Sequence, residues 1–523
     1  MTANPPQPPK TLGRVSLIGA GPGDPDLITV AGLDRLRTAD VVVFDALANP
    51  RLLDRAPADA VRIDVGKRAG FHKKTQDQIN QILVDHARQG LRVARLKGGD
   101  PYLFGRGAEE CAFCATHGVP CEVLPGVTAG VAAPACAGVP VTHRKVASSV
   151  TFITGHEDPS KSQTSLDYAA LSALCQTGGS LCIYMGVARL RAIADRLIGH
   201  GLPSDTPAAL VQWGTLPAQR SVRGAIDTLP ALVQAQGLGS PAIVVVGAAA
   251  GIDEPGLRFF EERPLFGRTV LVPRARDRAA ELSGLLREHG AAVLEAPAIR
   301  AEPVDDWAAA DPWLTGERAA DWLVFTSANG ADFAAERIAT LGRDARAFGR
   351  AGIAAVGKAT AGALWDRLRV RADVVSQGGG AVLAQSLIEQ GDVSGKRFVL
   401  LGAIEPRPEL PEALRQAGAD VTQAAVYRTL AAEAWPGDIA QTLRDGRVDW
   451  VVLTSGSTAR HARALSGVND ADWAPVRVAT IGATTSQAAR DLGWPVHAQA
   501  DEPSPRALVQ AICSAQASSA APR

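Results

Sequence analysis

Three shortages narrow the classes open to this 523-residue chain before any motif is read. It has no net charge: Lys plus Arg and Asp plus Glu both total 54. No overall field therefore draws it to nucleic acid or an anionic membrane, and a polyanionic ligand must be met by local basic clusters. It has no long apolar run. The best candidate, Ala242 to Ala250, falls far short of the ~20 residues of a membrane helix. The opening MTANPPQPPK is polar and proline-rich, without the core of a secretory signal. A soluble, cytoplasmic protein is expected, binding neither nucleic acid nor membrane. It is also poor in aromatics (5%) and has two methionines. Met185, in YMG at the end of an apolar run, reads either as core filling or as a specific contact.

Disulfides are not expected either. The seven cysteines are an odd number, and six fall between Cys111 and Cys182, as for reduced thiols. Cys111, Cys114, His117 and Cys121 have a spacing that invites a metal. Two lie on a helix expected over Ala108–His117, and the others at its end and in the next strand, so they read as buried core thiols and no metal is expected.

What is present is α/β patterning, with length for three to four units of ~150 residues. RLKGGDPYLFGRG, Arg95 to Gly107, follows an apolar run at Leu91–Leu96 and puts two glycines, Asp100 and Pro101 at a strand end. An open α/β sheet presents its ligand there. Gly98 and Gly99 let backbone approach a ligand, and Asp100 supplies an acceptor. GAGPGD after a strand at Val15–Ile18 fails the dinucleotide spacing, because position 24 is Asp24 and Pro22 removes an N–H a phosphate would use. A helix over Pro25–Arg37 leads to a strand at Val41–Phe44 ending in Asp45, placed for chemistry or for capping. VGKRAGFHKK, Val65 to Lys74, is a basic loop or a solvated face. PGVTAG, Pro125 to Gly130, repeats the strand-to-helix loop with Thr128 as a hydroxyl donor. Several loops together build one site.

GAGPGDPDLIT, VGKRAGFH, RLKGGDPYLFGRG, PGVTAG, VTHR, TGH, YMG and SPAIVVVG occur in order from about Gly13 to Gly247. Together they resemble the tetrapyrrole methylase family, specifically its uroporphyrinogen-III C-methyltransferases. The resemblance implies two α/β lobes with S-adenosylmethionine between them, bound by Pro22, Gly98, Gly99, Asp100, Leu103, Thr128, Ala129, Met185 and Gly214. It implies Asp45 as the base and Lys67 as a proton donor. Arg68, Lys73, Phe104, Arg106 and Arg144 are then the candidates to meet a porphyrinogen with eight carboxylates. A homodimer through this half is expected.

Past Ile252 the pattern breaks into an expected linker, 251–264, and then repeats itself. GRTVLVPRARDRAAELSGLLREHGAAV from Gly267 aligns with GKRFVLLGAIEPRPELPEALRQAGADV from Gly395, DWLVFTSANG from Asp321 with DWVVLTSGST from Asp449, and IAAVGKATAGAL from Ile353 with VATIGATTSQAA from Val478. Thr326, Ser327, Thr454 and Ser455 recur at helix starts, where each can cap a helix or, as a set, line a carboxylate-binding cleft. This half resembles uroporphyrinogen-III synthase from about Pro264 to Ala515. The resemblance implies ring closure of hydroxymethylbilane to uroporphyrinogen III, Tyr427 assisting departure of the hydroxyl, and Ser327, Lys358, Ser455 and Thr484 at the substrate. The loop Leu401–Leu410 lacks the family's glycine-rich arginine turn, and Arg407 is expected to compensate.

The expected fold class is α/β: a two-lobed methylase fold at 13–250, then a two-lobed, internally duplicated synthase fold at 265–515. The synthase lobes are 265–301 plus 429–515, and 302–428, with tails at 1–12 and 516–523. The implied function is bifunctional, ending in precorrin-2 on the way to sirohaem or a corrinoid. The alternative is a methylase whose second half senses a tetrapyrrole without turning it over.

Overall fold

The computed structural model describes residues 12–66, 74–156, 164–274, 276–296, 299–376, 379–406, 408–431, 434–435 and 437–519. It divides into two compact units. One runs to Val270 and adds Gly284–Val293 and the stretch from Ile512; the other is Leu271–Ser283 with Leu294–Ala511.

The first unit opens with a parallel sheet of β1 (Arg14–Gly19), β2 (Val41–Phe44), β3 (Val61–Asp64), β4 (Arg92–Lys97) and β5 (Cys121–Leu124), in the order β3-β2-β4-β1-β5. The central strands are buried on both faces, as a sheet covered by helices requires. β4 and β1 are neighbours whose onward connections run opposite ways along the sheet. A crevice opens beyond the carboxyl ends of such a pair, and four of the expected loops leave from there. The helices are α1 (Val30–Arg37), α2 (Gln76–Arg88), α3 (Gly107–Thr116) and α4 (Ala129–Cys136). α1 starts later than the expected Pro25. Asp24 caps a single 3-10 turn at Pro25–Leu27, and Thr29 then caps the helix proper through Gly32 N–H.

A mixed sheet follows: β6 (Ser149–Thr154), β7 (Gly179–Tyr184), β8 (Pro207–Gln212), β9 (Arg220–Ala225) and β10 (Ala242–Val246), in the order β6-β7-β10-β8-β9. β6 and β7 are parallel, and the other pairs antiparallel. The expected linker after it is not loose. Phe260 and Leu265 are buried, the Arg223 guanidinium donates to Ile252 O at 2.6 Å, and Gly138 lies so close to Leu257 that a Cβ would meet its carbonyl oxygen at 2.8 Å. Apolar side chains in the segment give it a face to dock.

The second half contributes β11 (Thr269–Val272), β12 (Ala292–Glu295), β13 (Ile299–Pro303), β14 (Trp322–Phe325), β15 (Gly352–Ala355), β16 (Val374–Val375), β17 (Arg397–Ala403), β18 (Asp420–Ala431), β19 (Trp450–Leu453), β20 (Arg477–Thr480) and β21 (Val496–Gln499). They form two sheets, β12-β11-β19-β20-β21 and β13-β18-β17-β14-β15-β16. The strands aligned by the sequence repeat, β11 with β17, β14 with β19 and β15 with β20, occupy matching places. Each sheet, however, takes β11 or β17 from one repeat and the two strands that follow it, β19 and β20 or β14 and β15, from the other. The chain crosses between sheets at 295–299 and 431–437, a few residues from the expected 301 and 429. Antiparallel pairing of Ile299–Pro303 with Tyr427–Ala431 keeps β13 and all of β18 in one sheet.

The last helix, Pro505–Ser519, continues past the expected tail boundary at 515, with Gln516 still buried. Among the described residues no helix is long and apolar enough to cross a membrane.

Candidate functional site

Three glycine loops meet at the carboxyl edge of the parallel sheet, backbone against backbone. Gly21 N–H donates to Gly99 O at 3.3 Å and Gly99 N–H to Gly21 O at 2.7 Å. A Cβ on Gly126 would stand 2.2 Å from Gly99 O, and one on Gly19 2.4 Å from Gly126 Cα. Gly19 and Gly126 must be glycine because any side chain would occupy the neighbouring chain, and Gly21 and Gly99 because their φ is +78° and +67°. Asp100 fastens the arrangement. Its Oδ1 accepts from Tyr102 N–H at 2.8 Å and its Oδ2 from Gly126 N–H at 3.0 Å. Gly98 is equally confined, its absent Cβ falling 2.7 Å from Leu47 Cβ. Pro22, Leu103 and Ala129 are half-buried on these loops.

The mixed sheet supplies the opposing groups. The Tyr184 hydroxyl, at the end of β7, lies 2.5 Å from Thr128 Oγ1 and accepts from Gly130 N–H at 2.7 Å. Burial pushes the Tyr184 phenol above its ordinary pKa, opposed by these hydrogen bonds. Thr128, expected to offer its hydroxyl to a ligand, shares it with Tyr184. The Phe104 ring stands tilted against Tyr184 with centroids 5.1 Å apart. Met185 is 49% exposed, so it is no core filler. Gly214 presses on α4, where a Cβ would come within 2.1 Å of Ala133 Cβ. Beside it Thr215 Oγ1 accepts from Asp24 N–H at 3.0 Å, tying the GPGD loop to the WGT loop.

Backbone strain is concentrated in the same place. Six non-glycine residues among those described have positive φ, and five of them are Phe104, Arg106, Met185, Trp213 and Thr215. The sixth, Arg369, ends a helix. Such conformations cost about 1–3 kcal/mol each and persist where surrounding structure enforces them, which is usual at ligand sites.

Beneath Asp45 lies a buried ionic cluster that sequence reasoning missed. Arg95 and Lys97, two apart on β4, point to the same face and are 3% and 4% exposed, and Glu110 on α3 is 0% exposed. Lys97 Nζ is 2.9 Å and Arg95 Nε 3.5 Å from Glu110 Oε1, and Gln76 Nε2 donates to the same oxygen at 3.1 Å. Arg95 Nη2 reaches Asp45 Oδ2 at 3.6 Å. Asp45 Oδ1 accepts from Leu47 N–H at 3.1 Å. Two cations thus face two carboxylates, one sealed and one at the site. Burial, with Arg95 alongside, pulls the Lys97 ammonium below its ordinary pKa against the pull of Glu110. The only sequence signal was two basic residues alternating with apolar ones in a central strand.

Of the basic groups expected at the substrate, Lys67, Arg68 and Lys73 lie outside the described residues, as does Arg407. Arg144 is exposed in the turn bridged by His143 and Ala147. Arg106 is exposed but bidentate to Glu109, at 2.6 and 2.9 Å, and this raises the guanidinium pKa. The loop segments 19–24, 98–103, 125–130 and 213–215 contain no lysine or arginine. They offer backbone groups, Asp100 and hydroxyls, and Met185 adds a thioether from the end of β7, a donor set suited to a ligand without phosphate.

In the second half, Ser327 and Tyr427, a hundred residues apart, are brought together. Ser327 Oγ donates to Tyr427 Oη at 3.1 Å while accepting from Gly330 N–H at 3.0 Å. The Phe333 ring stacks on Tyr427 with centroids 5.8 Å apart. Lys358 is exposed at the first turn of the helix Lys358–Leu368, in the same sheet layer. Ser455 caps the helix Gly456–Ser466 in a capping box with Thr458, and Thr484 is exposed in the first turn of Ala483–Asp491, both following strands of the other sheet.

Of the four metal-spaced residues only Cys114 is fully buried. Cys111 and Cys121 are half-buried with Sγ atoms 2.8 Å apart, and His117 stacks on Phe113. Among the described residues no group of three or more His, Cys, Asp or Glu could hold a metal ion.

Comparison with known proteins divides the chain in the same way. Residues 14–230 match the Tetrapyrrole (Corrin/Porphyrin) Methylases, and 280–510 match Uroporphyrinogen-III synthase HemD. A porphyrin biosynthesis protein HemD from Ruminiclostridium josui is 33% identical over 91% of this chain and 93% of its own length. An S-adenosyl-L-methionine-dependent uroporphyrinogen III methyltransferase from Methanosarcina barkeri is 46% identical over 45% of this chain and 91% of its own. A sirohaem synthase from Chromobacterium violaceum is 48% identical over 45% of this chain and 49% of its own.

Proposed function

Because the chain belongs to the proteins that fuse a tetrapyrrole methylase to a uroporphyrinogen-III synthase, we propose that it is bifunctional, with the second half closing hydroxymethylbilane to uroporphyrinogen III and the first methylating that product twice, to precorrin-2. The observation that carries the first activity is the convergence of three glycine loops, Met185 and the strained WGT loop on one crevice whose loop segments hold no basic side chain. S-adenosylmethionine, which brings a methyl group on a sulfonium and no phosphate, suits that donor set. Gly98, Gly99, Asp100, Leu103, Pro22, Thr128, Ala129, Met185 and Gly214 are the residues we assign to it.

At the acceptor carbon Asp45 takes the proton that alkylation of a pyrrole must release. Arg95 behind it orients the carboxylate and balances its charge. Lys67 is assigned as proton donor, and Arg68, Lys73, Arg106 and Arg144 as carboxylate partners. Phe104, exposed and tilted against Tyr184, offers an apolar face to the macrocycle. Arg106 is already paired with Glu109, so a substrate carboxylate must share or displace that partner.

In the second half the matching strand orders favour an origin by internal duplication with exchanged segments. Ser327, Lys358, Ser455 and Thr484 are assigned to the carboxylates of the linear substrate. Tyr427 keeps its hydroxyl proton for the departing hydroxyl, because Ser327 donates to its oxygen rather than accepting from it. Much of the catalysis then lies in holding the bilane folded. The fusion has a chemical logic, since the second half makes what the first consumes. We further assign a cytoplasmic setting and pairing of two copies through the first half.

The test is to supply hydroxymethylbilane without S-adenosylmethionine and resolve the isomers. The type III isomer should dominate, and Tyr427→Phe should slow its formation by about tenfold, less than the ~10²–10⁴ of a full general acid because holding the substrate folded carries much of the rate, with the unfolding transition unmoved. Type I alone from the wild type would leave the second half as a tetrapyrrole sensor.

A further inference from the structure

Glu261 lies on none of the loops assigned above. It sits on the packed strap after β10, where the chain leaves the first half for the second. Its Oε1 accepts from Gln219 Nε2 at 2.8 Å and from Ser221 Oγ at 2.8 Å. Gln219 is buried, 3% exposed, and its Oε1 accepts from Thr215 N–H at 2.9 Å. Thr215, also buried, holds Asp24 N–H with its hydroxyl. A relay of side chains thus runs from the strap through Gln219 and Thr215 to the GPGD loop.

The chemistry of the relay gives it a direction. A glutamine amide has one donating and one accepting end, and a carboxylate only accepts. With Glu261 present, the Gln219 NH2 must face the strap, so its oxygen faces the Thr215 N–H. Without it the amide can turn over and set donor against donor. Thr215 has φ +69° and Trp213 φ +50°, left-handed conformations that non-glycine residues hold only under constraint. The fixed glutamine oxygen is that constraint at Thr215. The strap is itself anchored by buried Phe260 under the Arg263 guanidinium, 4.5 Å from the ring centroid, and by buried Leu265.

We propose that Glu261 is a positioning residue for the cofactor crevice: by orienting Gln219 it holds the WGT loop against the GPGD loop, so that affinity for S-adenosylmethionine depends on the strap joining the two halves. This rests on the assignment of the crevice to that cofactor. Glu261 lies on none of the loops assigned to cofactor or substrate, and its effect passes through Gln219 and Thr215.

The experiment compares the full-length wild type, Glu261→Ala and Glu261→Gln. Binding of S-adenosylhomocysteine is measured by calorimetry, and amide hydrogen exchange over 22–25 and 213–219 is followed without ligand. Glu261→Ala should weaken binding about tenfold, the scale of a lost hydrogen-bonded charge, and speed exchange in both segments while β1 and β4 keep their protection. Glu261→Gln, which can still accept through Oε1 but no longer forbids the turned-over amide, should fall between wild type and Glu261→Ala. Wild-type affinity and wild-type exchange in Glu261→Ala overturn the proposal, as does a loss of stability with binding unchanged. A wild type that fails to bind S-adenosylhomocysteine overturns the cofactor assignment and this role with it, whatever the exchange shows.

Discussion

Asp45→Asn should slow methylation by about 10²–10⁴-fold, the usual contribution of a positioned general base, with binding of S-adenosylhomocysteine unchanged. The substitution isolates proton acceptance from shape. Asn keeps an oxygen for the Leu47 N–H that Asp45 Oδ1 accepts at 3.1 Å, so the turn after β2 is retained. It removes the negative charge 3.6 Å from Arg95 Nη2. The glycine loops that we assign to the cofactor are fastened by Asp100 and by backbone pairing, none of which passes through Asp45. Single-turnover methylation of supplied uroporphyrinogen III measures the effect. An unchanged rate would remove Asp45 from the chemistry.

Glu110→Ala attacks the support beneath the same carboxylate and should be the most destabilising single change in the first half. It leaves the buried Arg95 and Lys97 without their sealed anion, and breaking one side of a buried ion pair costs about 3–5 kcal/mol. For a unit of this size that corresponds to an unfolding midpoint lower by roughly 10 °C. The cause is the stranded charge rather than lost volume. Combining Glu110→Leu with Lys97→Met should therefore restore most of the midpoint, since one cation and one anion leave together and Arg95 keeps Asp45. Scanning calorimetry of the three proteins decides it. A Glu110→Ala midpoint equal to wild type would show that the cluster is not what holds this sheet face.

The strands of the first half were legible because each apolar run is short and ends in glycine or a small polar group. β2 falls where the pattern puts it, and β1 and β4 within a residue at each end. Asp45, Gly98, Asp100 and Met185 could be singled out because a polar or unusual residue at a strand end stands out against apolar neighbours. Position alone did not reveal partners. Tyr184 precedes Met185 in the YMG motif, yet its hydroxyl serves Thr128 and Gly130 more than fifty residues away. Arg95 and Lys97 lie inside the RLKGGDPYLFGRG stretch, yet their burial is understood only once α3 brings Glu110 beneath them.

Where the structure adds to the sequence reading, the causes are specific. Asp24 and Thr29 both cap, so one expected helix became a 3-10 turn followed by α1. The expected linker is charged between its apolar residues, and Phe260 and Leu265 dock it. In the second half the repeat was visible in sequence, but the crossing points depend on the pairing of β13 with β18, which no local pattern encodes.

The most direct measurement incubates the whole chain with hydroxymethylbilane and S-adenosylmethionine and reads the products by mass and isomer. A doubly methylated tetrapyrrole of the type III series, formed without any added enzyme, is the predicted result. Unmethylated uroporphyrinogen I as the sole product would contradict it.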